Sequence, residues 1–167
     1  MPPSSIPPVP ALAFAPHDHG DCRDRVRAEV AAVCAARRLR LTPARAFVLD
    51  TLLESHRALS AYELLDRLRE AGLGGQPPVV YRALDFLVSH GFVHRIERLG
   101  AYLACTQGEG AHRAAFMVCR KCRSVAETAL PRGSRGLSAE AAQAGFEIER
   151  VVIEAEGICA PCREGAP

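Results

Sequence analysis

The chain of 167 residues is long enough for one ordinary domain or two small ones, and its 49% hydrophobic content allows a packed core built without Trp. Its net charge of +2 neither announces nor excludes a nucleic-acid partner, because a mean charge says nothing of its layout. No uncharged apolar run approaches the roughly 20 residues that span a bilayer, and Met1 to Pro16 lacks the basic start and unbroken apolar run of a signal peptide, so a membrane role is not expected.

Residues 1–20 read as a disordered tail rich in Pro and Ala. His17, His19 and Cys22 stand at its end, metal-friendly side chains of a kind that more often makes a weak, adventitious site than a defined one. From Asp21 the pattern turns helical, with Val26, Val30, Val33 and Cys34 at three- and four-residue spacing. Cys34 lies on that apolar stripe and reads as a core thiol. Arg37, Arg38 and Arg40 are expected to close the helix with positive charge. Thr42-Pro43 predicts an N-cap followed by Pro at the first position of a second helix. Phe47, Val48, Leu52 and Leu53 are its apolar face.

Ser60 predicts the cap of a third helix, with Glu63 completing a capping box and Leu64, Leu65 and Leu68 on the core side. Gly72-Leu73-Gly74-Gly75 stops it. A fourth helix follows Pro77-Pro78, is expected to bury Val80, Leu84, Leu87 and Val88, and ends at Gly91. Strand-like runs at 92–96 and 101–104 flank Gly100. Two strands after a cluster of helices predict a winged helix-turn-helix, whose last helix enters the major groove of DNA while the hairpin lies against the backbone. Tyr81, Arg82 and Asp85 fall on the other faces of the fourth helix. Arg82 has the geometry to grip guanine with two hydrogen bonds, and Tyr81 to touch a thymine methyl or a phosphate. Taken alone, Arg82 reads first as a solvated charge. Arg23, Arg25, Arg27, Arg37, Arg38, Arg40 and Arg45 are candidate phosphate contacts, and any that serve should make binding fall with salt.

A second unit begins near Gly108 to Gly110. Strands are expected at 114–118, 124–127 and 147–156, with a helix at 138–144. The expected fold is α+β: a winged-helix domain over 21–106, a hinge over 107–111 and a small α/β domain over 112–167.

Cys119-x-x-Cys122 and Cys159-x-x-Cys162 are the strongest chemical signal in the chain. Each two-residue gap lets both thiolates of a pair reach one metal, and two pairs make a closed tetrahedral site that suits structural zinc. A redox pair or unpaired thiols are the ordinary alternatives. The odd count of seven cysteines and the Cys-x-x-Cys spacing argue for metal-held thiolates in a reducing cytoplasm rather than for a secreted disulfide scaffold. A second set is His94, Cys105, His112 and Glu127. Each has an ordinary explanation alone: a wing residue, a strand thiol, a loop residue and a solvated carboxylate. Together they span wing, hinge and second unit, so a metal held by this mixed nitrogen, sulphur and oxygen set would couple the orientation of the two domains to metal occupancy. An enzyme is not expected. The quartet is closed, the second set already offers four protein ligands, and no nucleophile–base motif appears elsewhere.

Several motifs stand in one order: Leu41-Thr42-Pro43-x-Arg45, Ser60-Ala61-Tyr62-Glu63-Leu64-Leu65, Pro77-Pro78-Val79-Val80-Tyr81-Arg82-Ala83-Leu84-Asp85-Phe86-Leu87, Gly91-Phe92-Val93-His94 and the two Cys-x-x-Cys pairs. Over about residues 22–163 this resembles the ferric-uptake-regulator (Fur) superfamily, and within it the zinc-uptake-regulator (Zur) branch. The resemblance implies a cytoplasmic, homodimeric repressor of zinc-uptake genes that binds double-stranded operator DNA through a winged helix and dimerises through its C-terminal domain. It implies two Zn2+ per subunit: a structural ion at Cys119, Cys122, Cys159 and Cys162, and a regulatory ion at His94, Cys105, His112 and Glu127. It points to Tyr62, beside Tyr81 and Arg82, as a DNA contact. It allows Asp66 and Arg69, otherwise a local surface pair, to link neighbouring dimers on DNA. A Cys in the sensor set favours zinc over harder iron(II). Val79-Val80 departs from the commoner Thr-Val before Tyr81, and the chain ends soon after Cys162 without a Cys/His-rich tail. The rival expectations are a sister regulator of iron, manganese or peroxide, and a zinc-storage or delivery protein that leaves DNA alone.

Overall fold

Caps and apolar stripes set the first half of the chain. The computed structural model describes residue 14 and residues 19–106, 114–129, 135–149 and 151–165. His17, His112 and the side chains of His19 and Cys22 lie outside this description, so the expectations placed on them are not addressed by it. Helix α1 (His19–Ala36) buries Val26, Val30, Val33 and Cys34. It ends before the arginines expected to close it. Arg38 takes a left-handed φ of 53°, and the Leu39 N–H returns to the Cys34 carbonyl at 2.8 Å.

Helix α2 (Pro43–Leu52) starts as expected, with the Arg45 N–H donating to Thr42 Oγ1 at 3.4 Å and Pro in the first turn. Helix α3 (Ala61–Glu70) carries the reciprocal capping box. The Ser60 N–H donates to the Glu63 carboxylate at 2.8 Å, and the Glu63 N–H donates to Ser60 Oγ at 3.3 Å. Those bonds hold the Glu63 carboxyl below its usual range, the Ser60 backbone N–H being the main cause. Helix α4 (Pro77–Ser89) buries Val80, Ala83, Leu84 and Leu87. Val88, expected inside, is 36% exposed. The inward stripe is already filled at i, i+3, i+4 and i+7, and Val88 lies about 100° round from Leu87, past its edge.

These helices share one core with Phe92, Val93 and Ala104. Leu84 and Leu87 are fully enclosed in it. Leu84→Ala should therefore cost about 2–5 kcal/mol of stability, read from denaturant or thermal unfolding.

The wing is β2 (Val93–Ile96), a 3-10 turn (Glu97–Leu99) and β3 (Ala101–Ala104), antiparallel, with Gly100 at φ 56° closing the turn. The two-residue strand β1 (Leu59–Ser60) adds to β3, giving the order β1-β3-β2. No alternation in the sequence could mark a strand so short.

The second sheet is β4 (Ala114–Cys119), β5 (Val125–Ala129) and β6 (Ile153–Gly157), in the order β5-β4-β6. β5 runs antiparallel to β4, β6 runs parallel to it, and α5 (Arg135–Gln143) lies in the crossover. The strand expected over 147–156 forms only from Ile153. Its parallel ladder begins at Ala115↔Ile153, one residue into β4, so a strand extended back to 147 would outrun its partner. A short helix α6 (Ala160–Arg163), not foreseen, follows β6.

The two sheets meet face to face. Ala58, Ile96, Ala101 and Leu103 of the winged-helix unit form one apolar cluster with Ala114, Phe116, Val118 and Val125 of the second unit. The Val125 N–H donates to the His56 carbonyl at 2.9 Å, and Arg57 bridges Ser124. Among the described residues no helix is long and apolar enough to cross a membrane.

Candidate metal centres and nucleic-acid interface

The structure brings the four cysteines of the two pairs together. Cys119 ends β4, Cys122 lies in the turn to β5, Cys159 caps α6 and Cys162 lies within it. Their sulphurs lie within 4.8 Å of one another, and Cys122 Sγ is 3.8 Å from Cys159 Sγ. Four sulphurs at the zinc–thiolate bond length of about 2.3 Å on a tetrahedron are spaced about 3.8 Å apart, so this donor set fits zinc in both chemistry and size.

The backbone favours thiolate here. Burial works to raise the Cys119 thiol, but the N–H groups of Cys122, Cys159 and Lys121 outweigh it and bring it down to about 6. The Cys159 N–H reaches Cys119 Sγ at 3.4 Å. Cys162, next to three other sulphurs and Cys159 above all, is pushed up to about 12. Without a cation the cluster cannot shed all its protons at neutral pH; a bound cation removes that obstacle.

The second set also assembles. His94 on β2, Cys105 just past β3 and Glu127 on β5 place one ligand atom each within 4.8 Å of the others. His94 Nε2 lies 2.9 Å from Glu127 Oε1, and Cys105 Sγ lies 3.9 Å from the same oxygen. The Glu127 side chain is only 2% exposed. A buried carboxylate is costly unless paired or coordinated, which makes this position unusual for a solvated acid. Phe116 on β4 packs its ring 5.1 Å from the His94 ring and shields the site. A nitrogen, a sulphur and an oxygen gathered in one largely buried cluster suit a borderline-soft divalent ion.

One contributor had no signal in the sequence. The Thr106 N–H donates to Glu127 Oε2 at 3.1 Å, and its hydroxyl lies 3.4 Å away, leaving Oε1 turned towards His94 and Cys105. The Thr106 carbonyl in turn accepts from Arg25 of α1 at 3.0 Å. A threonine beside a cysteine is too ordinary a pattern to find by spacing.

Helix α4 presents Tyr81, Arg82 and Asp85 to solvent, and the start of α3 presents Tyr62, which is 74% exposed. Several of the arginines considered for phosphate contacts have work within the fold. Arg27 pairs with Asp50 at 2.5 Å, Arg25 with Glu29 at 2.9 Å, and Arg45 stacks 3.7 Å over the Phe86 ring while donating to the Arg40 carbonyl. Asp66 and Arg69 pair with each other on the exposed face of α3 at 3.0 Å.

The chain matches the model of the Ferric uptake regulator family over residues 36–156. It is 42% identical over 138 residues to the zinc uptake regulation protein of Escherichia coli, an alignment covering 82% of this chain and 81% of that protein. It is 32% identical over 107 residues to the zinc uptake regulation protein of Mycobacterium tuberculosis, covering 62% of this chain and 79% of that one. Among solved structures it is similar to a zinc uptake regulator complexed with zinc and DNA, with a TM-score of 0.80, 40% identity, and coverage of 86% of this chain and 96% of that chain. It also resembles holo XcZur, with a TM-score of 0.75, 40% identity, and coverage of 85% and 99%.

Proposed function

The chain belongs to the ferric uptake regulator family, and from that premise we propose that it is a zinc-responsive, DNA-binding repressor of zinc-uptake genes, not an enzyme. The observation that carries this reading is the buried His94, Cys105 and Glu127 set lying between the winged helix and the second sheet. His112 is its proposed fourth ligand. Cys119, Cys122, Cys159 and Cys162 hold a structural zinc, giving two ions per subunit. Thiolates in both sites suit a reducing cytoplasm.

In the proposed mechanism the chain's own residues do the switching. His94 belongs to the wing, Cys105 to its exit and Glu127 to the second sheet, so an ion shared among them ties the wing to that sheet. Without it the units sample other arrangements, and occupancy shifts the population towards one. Zinc and DNA must then strengthen each other's binding by the same factor. The domain division proposed is a winged helix over 21–106, a hinge over 107–111 and a dimerisation domain over 112–167. Leu137, Phe146 and Val152 leave an exposed apolar face beside α5, which suits burial against a second copy.

Tyr62, Tyr81 and Arg82 are the proposed DNA contacts. Arg82→Ala should weaken operator binding by about 1–3 kcal/mol, the worth of a good bidentate base contact, and relax selectivity at one base pair in a competition assay. Asp66 and Arg69, paired within the chain, are exposed enough to exchange partners with a neighbouring dimer on DNA.

The test is operator binding at fixed salt with free zinc buffered from scarce to saturating. Tighter binding as zinc rises supports the reading. Equal binding throughout sinks it, and a response to iron(II) or manganese in place of zinc would move the chain to a sister regulator. Zinc uptake without any operator binding would favour storage.

A further inference from the structure

Among the described residues the wing meets the second sheet through polar side chains at both ends, and one end is the candidate metal site. Phe116 in the middle of the sheet pairs with Glu127 on β5 and with Glu154 on β6. Paired residues share a face, so these three stand in one row facing the wing. At one end of the row Glu127 meets His94 of β2. At the other end Glu154 receives the wing tip. The Glu97 N–H donates to Glu154 Oε1 at 2.7 Å, and the Arg98 N–H donates to Oε2 at 3.0 Å. These are the first amides of the Glu97–Leu99 turn, which has no side-chain cap of its own. A carboxylate accepting two such amides supplies a charge-assisted cap from another strand. Two residues on, and therefore on the same face, Glu156 pairs with Arg98 Nε at 2.5 Å. The Arg98 bond depresses the Glu156 carboxyl accordingly.

The apolar contact between the units is thin for its job. Three of its eight buried members are alanines, Ala58, Ala101 and Ala114. The polar attachments at the ends of the wing therefore add to Ile96, Leu103 and Phe116 in fixing how it sits.

We propose that Glu154 is a positioning residue: by capping the wing-tip amides of Glu97 and Arg98 it holds the far end of the wing on the second sheet with or without metal, so that zinc at His94, Cys105 and Glu127 has only the near end left to fasten. The metal part of this inference rests on the reading given under Proposed function; the cap itself does not. A wing held at one end spends more of its time in the competent arrangement, and apparent affinity rises with that fraction.

Full-length wild type and Glu154→Gln are compared by amide hydrogen exchange at Glu97 and Arg98 and by operator titration, each in zinc-free and zinc-saturated buffer. In wild type both amides should be protected even without zinc. In E154Q, which removes the charge and turns one acceptor into a donor, their exchange should quicken about tenfold or more. Zinc-free operator affinity should fall by about fivefold or more because the competent fraction falls, and the gain on adding zinc should be at least as large as in wild type, while thermal unfolding and the zinc content of the cysteine quartet stay as in wild type. Wild-type amides protected only in zinc would overturn the proposal without recourse to any variant. So would E154Q amides as slow as wild type, or a zinc-free operator affinity in E154Q as high as in wild type. If wild type itself shows no zinc response while E154Q amides exchange faster, the zinc-switch reading falls and the inference that zinc exploits the cap falls with it, the cap alone standing.

Discussion

Cys119→Ser should remove the structural zinc and unfold the second unit while the helical core of the winged helix survives. Cys119 is 1% exposed and sits where β4 ends, so it anchors the central strand of the sheet. Its partners Cys159 and Cys162 lie just beyond β6, so the ion joins the central strand to an edge strand across the crossover. Closed thiolate sites bind zinc with apparent free energies of about 10–16 kcal/mol at neutral pH, most of it folding energy in a unit this small. Serine offers a poor ligand at that pH, and the remaining three sulphurs would hold the ion far less firmly. Two of the second unit's large apolar residues, Leu137 and Phe146, are exposed in the single chain, and its buried Phe116, Val118 and Val125 pack with the winged-helix unit. The expected result is one zinc fewer per subunit by metal analysis. Residues of β4, β5 and β6 should become open to limited proteolysis, and helical circular dichroism from α1–α4 should largely persist. Retention of the ion and of the sheet would show that the quartet does not carry this load.

Cys105→Ser should leave a folded dimer that binds operator DNA at its zinc-free strength whatever the zinc concentration. Cys105 is 5% exposed and its N–H is bonded to the Phe92 carbonyl, so its backbone place is secure without the sulphur. Serine is slightly smaller and fits the same rotamer. What disappears is the one soft donor in the set, and with it most of the preference for zinc. Regulatory couplings usually run from about 5- to 150-fold, and that whole factor should vanish from the ratio of zinc-loaded to zinc-free operator affinity. In wild type the ion must displace the thiol proton, so zinc binding should also weaken in acid and release a proton measurable in weakly buffered solution. A mutant that keeps the full zinc response would dismiss Cys105 as a ligand.

These two substitutions touch sites of different legibility. The quartet was plain in the chain, because two Cys-x-x-Cys pairs state both ligand type and local geometry. The second set stood out only weakly by residue type and placement and gained its role from the family resemblance, since His94, Cys105 and Glu127 are 11 and 22 residues apart and each is ordinary by itself. Distance along the chain carries no information about which face of a strand meets which. The register Phe116↔Glu127 and the packing of one sheet on the other decide that.

The local rules were enough wherever the determining residues are neighbours. Thr42-Pro43 and the Ser60–Glu63 box start helices through bonds that reach three residues, and the α4 stripe follows from helical period alone. They failed where partners come from elsewhere. Val88 looked apolar enough for the core but fell outside the stripe. The strand expected from 147 shortened to Ile153–Gly157 because a parallel partner sets its length. β1 exists only because β3 lies beside it. Thr106 behind Glu127 and Glu154 beneath the wing tip are the furthest cases. A hydrogen bond across 57 residues, such as that from the Glu97 N–H to Glu154, leaves no period, cap or motif in the chain. By itself the sequence determined most of the elements, the cysteine quartet and the family, because those depend on short-range chemistry. Only the tertiary structure decided how the wing sits on the second sheet, because that rests on side chains whose meeting depends on the fold as a whole.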